Sequence, residues 1–123
     1  VQDRIGGHPQ VRLLLRAATG PLGANATIGE EDEAPLQSFV HAVEGEQFDL
    51  IFVDGNARHA CLREARRLLA PGGTVLLHDA QRAWYDEAKQ HFVAHGHIGS
   101  CPDYPSPHLW WGGAAEPQPD PAA

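Results

Sequence analysis

A chain of 123 residues with 9 Lys+Arg against 16 Asp+Glu, a net charge of −7, suits one domain with a modest core. The acidic balance excludes a nucleic-acid-backbone binder, which needs a positive footprint, and no apolar stretch approaches the length of a membrane span. Two cysteines, Cys61 and Cys101, make no disulfide framework, and no signal-peptide pattern opens the chain, so a reduced, cytoplasmic protein is expected.

Val1-Gln2-Asp3-Arg4-Ile5 reads as the end of a helix stopped by Gly6-Gly7, so the chain is expected to be a piece of a longer protein. Val11–Arg16 is the first strand candidate, reached through Pro9, and Thr19-Gly20-Pro21-Leu22-Gly23 is turn chemistry. The acidic run Glu30-Glu31-Asp32-Glu33 reads as a solvated helix entry, or as carboxylates that receive a ligand's amine or hydroxyl. Pro35 fits a first helical position. Leu36, Phe39, Val40 and Val43 then recur at i, i+3, i+4 and i+7 as one apolar stripe, closed by Gly45.

Phe48-Asp-Leu-Ile-Phe-Val-Asp-Gly55 is the most informative stretch. Its apolar run Leu50–Val53 is too short for a helix and suits a strand buried on both faces. Asp54 cannot stay uncompensated in such a layer, so it belongs at the strand's carboxyl end, where Gly55 permits a sharp turn. A second helix follows, with Ala57, Cys61, Ala65, Leu68 and Leu69 inside and Arg58, Arg63, Glu64, Arg66 and Arg67 mostly outside. Ala70-Pro71-Gly72-Gly73 breaks it. Thr74–Leu77 is another short apolar strand, ending in His78-Asp79.

Trp84, Ala88, Phe92 and His95 share a face of a third helix that Gly96 ends. His97–Ser100 reads as a short strand, Pro102–Pro107 as an irregular loop and His108–Trp111 as a final strand, the two strands forming an antiparallel edge. The domain thus covers 1–113, and the Pro/Ala-rich tail 114–123 is expected to be disordered. Alternating strands and helices make an α/β, Rossmann-like parallel sheet with helices on both faces. The strand ends near Thr19, Asp54 and His78-Asp79 then converge on the edge where such sheets bind ligands.

Asp54, His78 and Asp79 could remove a proton there, or two carboxylates could hold a divalent metal. The bland alternative is that Asp54 and Asp79 merely cap the helices that follow them. His91, His95 and His97, with Cys101 nearby, have spacings usable by zinc, but spacing alone does not make four ligands converge.

Together, Phe48-Asp-Leu-Ile-Phe-Val-Asp-Gly55 and Leu69-Ala-Pro-Gly-Gly-Thr-Val-Leu-Leu-His-Asp79 resemble two successive strands of class I S-adenosylmethionine-dependent methyltransferases, over about Pro35 to Ala94. The closing His-Leu-Trp-Trp-Gly is similar to the family's last strand. The resemblance implies methyl transfer from S-adenosylmethionine to a small-molecule or sugar hydroxyl, a non-catalytic Rossmann-like interaction domain being the alternative. It puts Asp54 and Gly55 beside the methionine part of the cofactor, Thr19 near the adenosine, and His78 and Asp79 toward the acceptor, with Arg82 and Tyr85 close behind. The family's glycine-rich cofactor turn and the acid closing its second strand have no counterpart. The match is therefore to the carboxyl-terminal part of the domain, incomplete at the amino terminus. Weak cofactor binding and self-association through an exposed sheet edge are the expected consequences.

Overall fold

The computed structural model describes residues 7–19, 34–99 and 108–113. Readings made for Val1–Ile5, Gly20–Gly23, Glu30–Glu33, Cys101, the 102–107 loop and the 114–123 tail lie outside the described residues.

Among the described residues four strands form one mixed sheet: β1 (Phe48–Val53), β2 (Leu69–His78), β3 (Ala94–Ile98) and β4 (Leu109–Gly113), in the order β1-β2-β4-β3. β1 and β2 run parallel, with Leu50 opposite Thr74 and Val53 opposite Leu77. The connection between them is α2 (Arg58–Leu68), as a parallel pair requires. β4 is antiparallel to both β2 and β3, so the last strand inserts between its predecessors and makes the expected antiparallel edge. The result is the α/β, Rossmann-like arrangement read from the alternation of elements.

The core lies on one face of this sheet. Val53, Val75, Leu77 and Trp110 point into it and meet Leu62 and Ala65 of α2. Tyr85, from the 3₁₀ turn Ala83–Tyr85, Ala88 of α3 (Asp86–Lys89) and Phe92 complete it. The short α1 (Gln37–Val40), entered through the 3₁₀ turn Ala34–Leu36, packs on α2 by setting Leu36 and Val40 against Ala57 and Ala60. The described helices therefore gather on this face. The opposite face carries Leu50 and Phe52, which are 60% and 56% exposed. Burial of the central strand on both faces is corrected accordingly: only the Ile51 and Val53 side of β1 is packed by described residues.

Three other elements differ from the sequence reading. Residues 11–18 form no strand, and Leu15 is 87% exposed. This segment is tied to the start of α1 instead. The Thr19 amide donates to the Pro35 carbonyl (2.8 Å), and Ser38 Oγ donates to the Ala17 carbonyl (3.3 Å). Arg12 is held by Glu46 at 2.9 Å. β1 is consequently an edge strand among the described residues.

The third helix is shorter than its apolar stripe. α3 ends at Lys89, and Ala94–Ile98 becomes β3, so His95 is a strand residue and Gly96 is no helix stop. Gly96 lies under Trp111, where a Cβ would come within 3.0 Å of the indole nitrogen. Finally, β2 begins directly at Leu69, and Ala70–Gly73 is absorbed as an irregularity in the pairing with β1. Gly73 is required there, because a Cβ would meet the Ala70 and Phe48 carbonyl oxygens at 2.9 Å.

Candidate functional site

Because β1 and β2 are parallel and Val53 faces Leu77, both strands release their next residues at the same sheet edge. Asp54 and His78-Asp79 are thereby brought together. Asp54 Oδ1 lies 3.4 Å from His78 Nδ1, and Asp79 Oδ2 lies 3.5 Å from the same nitrogen. His78 Nδ1 is buried without a well-aligned hydrogen bond, so its contact with the two carboxylates is electrostatic. A protonated Nδ1 is the tautomer that suits two facing anions, leaving Nε2 as the basic nitrogen.

Neither aspartate caps a helix. The residue before α2 is Ala57 and the residue before the Ala83–Tyr85 turn is Arg82, and neither helix start has a side-chain cap. The capping alternative is therefore set aside. Both carboxylates instead receive Arg58, the first residue of α2, which the helical pattern had put on the outside. Arg58 is only 7% exposed. Its Nη2 lies 3.2 Å from Asp54 Oδ1 and its Nη1 lies 3.3 Å from Asp79 Oδ2. Nε donates to the Gly55 carbonyl (2.7 Å) and Nη1 to the His78 carbonyl (2.8 Å). One guanidinium thus fastens both strand exits.

Two further groups close around Asp79. Arg82 Nη2 is 3.5 Å from Oδ2, and His108 Nδ1 is 3.6 Å from Oδ1. His108 arrives because the Ala80 amide donates to its carbonyl at 2.8 Å as β4 starts beside β2. Backbone strain collects here as well. Ala57 and Asp79 are the non-glycine residues at positive φ among those described, at 53° and 54°. Each such residue costs on the order of 1–2 kcal/mol, and strain of this kind gathers at functional sites.

Burial alone would raise the pKa of Asp79. The hydrogen bond from Arg58 and the charges of His78, Arg58 and Arg82 outweigh it and hold the carboxyl below its ordinary 3.8. A folded-state pKa below the unfolded one adds stability that is complete above the unfolded value and is lost as pH falls through the folded value. The stability difference between the native chain and Asp79→Asn is therefore expected to be largest above about pH 4 and to shrink steadily below it. Urea melts across the acid range measure this. A difference that grows on acidification would contradict the assignment.

Beside Asp54, a cleft of about 200 Å³ opens between α1, β1 and α2. Phe39, Phe52, Asp54, Gly55, Asn56 and Glu64 are among its lining residues. Gly55 leaves it open, since a Cβ there would meet nothing closer than the Phe39 ring at 3.9 Å. The other expected contacts fall elsewhere. Thr19 is bonded to Pro35. Tyr85 is wholly buried in the core, so it presents no surface to an acceptor. His91 pairs with Glu87 at 3.6 Å, and His95 stacks on Trp110, on separate elements. No group of three His, Cys, Asp or Glu among the described residues is placed to hold a metal ion.

Sequence reasoning missed Arg58 and His108. Arg58 had a signal, an arginine four residues after a strand-exit acid, a spacing that allows pairing across one turn. His108 had none, since only the pairing of β4 with β2 places it.

An α/β sheet whose parallel strands bring acids and a histidine to one edge is the architecture of a ligand-binding α/β domain. The profile of a family described as a methyltransferase domain matches residues 6–80, more than half of the chain, and the chain belongs to that family. No curated protein and no solved structure matches it. No described helix is long and apolar enough to cross a membrane.

Proposed function

We propose that this chain serves methyl transfer from S-adenosylmethionine to a hydroxyl of a small molecule or sugar, with His78 as the general base. The observation that carries the reading is His78 set between Asp54 and Asp79 at the exits of two parallel strands. The cofactor supplies an electrophilic methyl on a sulfonium sulfur. His78 Nε2 would take the proton from the acceptor hydroxyl, the oxygen to which the cofactor would supply its methyl. Asp54 and Asp79 stabilise the charge the ring gains. Arg82, 3.5 Å from Asp79 at the rim of this cluster, would orient the acceptor.

The residues present suit one end of the cofactor. Asp54 and the open turn at Gly55 and Asn56 offer an anion and exposed backbone for its ammonium and carboxylate, and Phe39 offers an aromatic wall. A cleft of about 200 Å³ is nevertheless smaller than the roughly 300–1,000 Å³ of sites that enclose a whole ligand. The 123-residue chain is therefore expected to bind S-adenosylmethionine no tighter than about 10 µM. Asp54→Asn should weaken that binding at least about tenfold with little change in melting temperature, since Asp54 caps nothing and is half exposed. Titration followed by amide shifts of Gly55 and Asn56, with a labelled-methyl transfer assay, tests both claims. Unmoved amides at millimolar cofactor would favour the non-catalytic reading, which the small cleft supports.

Among the described residues β1 is paired on one side alone, which gives this reading a second consequence. Unpaired strand groups flanked by exposed Leu50 and Phe52 are a template for another chain. Light scattering is expected to show a mass above the 13.3 kDa of one chain. Phe52→Lys should restore the monomer. A wild-type chain that stays monomeric at high concentration would count against the open edge.

A further inference from the structure

Asp54 and Asp79 form the kind of oxygen donor pair on which a divalent ion could acidify an acceptor hydroxyl. The local geometry does not fit that use. Asp54 Oδ1 and Asp79 Oδ2 already face the two terminal nitrogens of Arg58, at 3.2 and 3.3 Å. The guanidinium is not free to swing aside, because the Gly55 and His78 carbonyls accept from it at 2.7 and 2.8 Å. Displacing it would break both of these hydrogen bonds. Arg82 adds a second positive charge 3.5 Å from Asp79 Oδ2.

The two carboxylates and two guanidiniums sum to zero with the histidines neutral, and an arginine does not lose its charge to make room. A divalent ion needs oxygens at about 2.0–2.6 Å and a net negative site. It would find these oxygens engaged and two cations beside them. We propose that Arg58 is the resident cation of this site, holding the place a divalent metal ion would otherwise take, so that the site works without a metal. Arg58 then has two tasks. It keeps Asp54 and Asp79 parallel across the strand exits, and it fixes the anions that face His78 Nδ1.

The inference rests on the acid–base cluster of the proposed function but not on methyl transfer itself, so its test uses no cofactor. Manganese(II) is the probe, titrated into the full chain and followed by the loss of its free-ion electron paramagnetic resonance signal. The native chain is expected to bind no ion at these residues up to millimolar concentration. Arg58→Gln, which removes the charge and releases the carboxylates, should bind manganese at least tenfold more tightly than the native chain. The double variant Arg58→Gln/Asp54→Asn should lose that gain. Arg58→Lys keeps a cation and serves where the glutamine variant fails to fold; it should exclude manganese as the native chain does. Manganese binding by the native chain that Asp79→Asn abolishes would overturn the proposal. So would a folded Arg58→Gln that binds no better than the native chain.

Discussion

Arg58→Met will cost about 3 kcal/mol of folding stability, far more than Asp54→Asn. The asymmetry follows from burial. Arg58 is enclosed, whereas Asp54 is 46% and Asp79 25% exposed. Removing Arg58 leaves two carboxylates close together with no shared counter-charge. It also strips the Gly55 and His78 carbonyls of their donors. Breaking a buried ion pair from one side costs roughly 3–5 kcal/mol, and partial solvation of the surviving acids argues for the lower end. Asp54→Asn removes only a half-exposed charge and should stay within about 1 kcal/mol. For a domain of this length, 3 kcal/mol corresponds to a Tm drop of roughly 10–15 °C. Thermal melts of both variants decide it. Equal small shifts would mean that Arg58 is a surface residue in solution, and the site described around it would not stand.

Much of this arrangement was legible because it depends on local pattern. An apolar run that stops at a carboxylate, repeated after one helix, gave both parallel strands and the edge on which Asp54 and His78-Asp79 meet. The antiparallel close was readable from the apolar His108–Trp111 segment. What escaped was set by partners distant in sequence. Val11–Arg16 has a strand's composition, but a strand forms only where a neighbour accepts its ladder, and its end is bonded to α1 instead. Leu50 and Phe52 match Ile51 and Val53 in polarity, so composition could not show that only one of these two pairs is covered. Trp84, Ala88, Phe92 and His95 satisfy a helical period. The last two lie beyond the end of α3 because Trp110 draws Phe92 into the core and His95 onto its own ring face. The ordinary preference of arginine puts Arg58 in solvent, and two facing acids override it.

The Trp110 indole is among the largest fully buried side chains of the core, and Trp110→Ala should destabilise the chain by about 3–5 kcal/mol. Trp110 is fully buried on β4, opposite Leu77 of β2. Phe92 meets it edge-on with ring centroids 5.5 Å apart, His95 stacks on it at 6.0 Å, and the Lys89 ammonium sits 6.0 Å from the ring centre. Lys89 at the end of α3, Phe92 between α3 and β3, and His95 of β3 therefore converge on one side chain. Deleting it removes the transfer free energy of a large aromatic and leaves a cavity that β-strand backbones cannot close by collapse. The neighbouring Gly112 supplies the matched opposite change. A Cβ there would lie 2.4 Å from the Trp110 ring and 2.9 Å from Phe92, so Gly112→Ala overpacks the place that Trp110→Ala empties. Overpacking of a filled core costs about 1–3 kcal/mol. The two lesions share one cavity, so they should not add: the double variant should be more stable than the sum of the single losses predicts. Urea denaturation of the two single variants and the double variant measures the coupling. Strict additivity would place Gly112 and Trp110 apart in solution and would remove the packing of β4 described above.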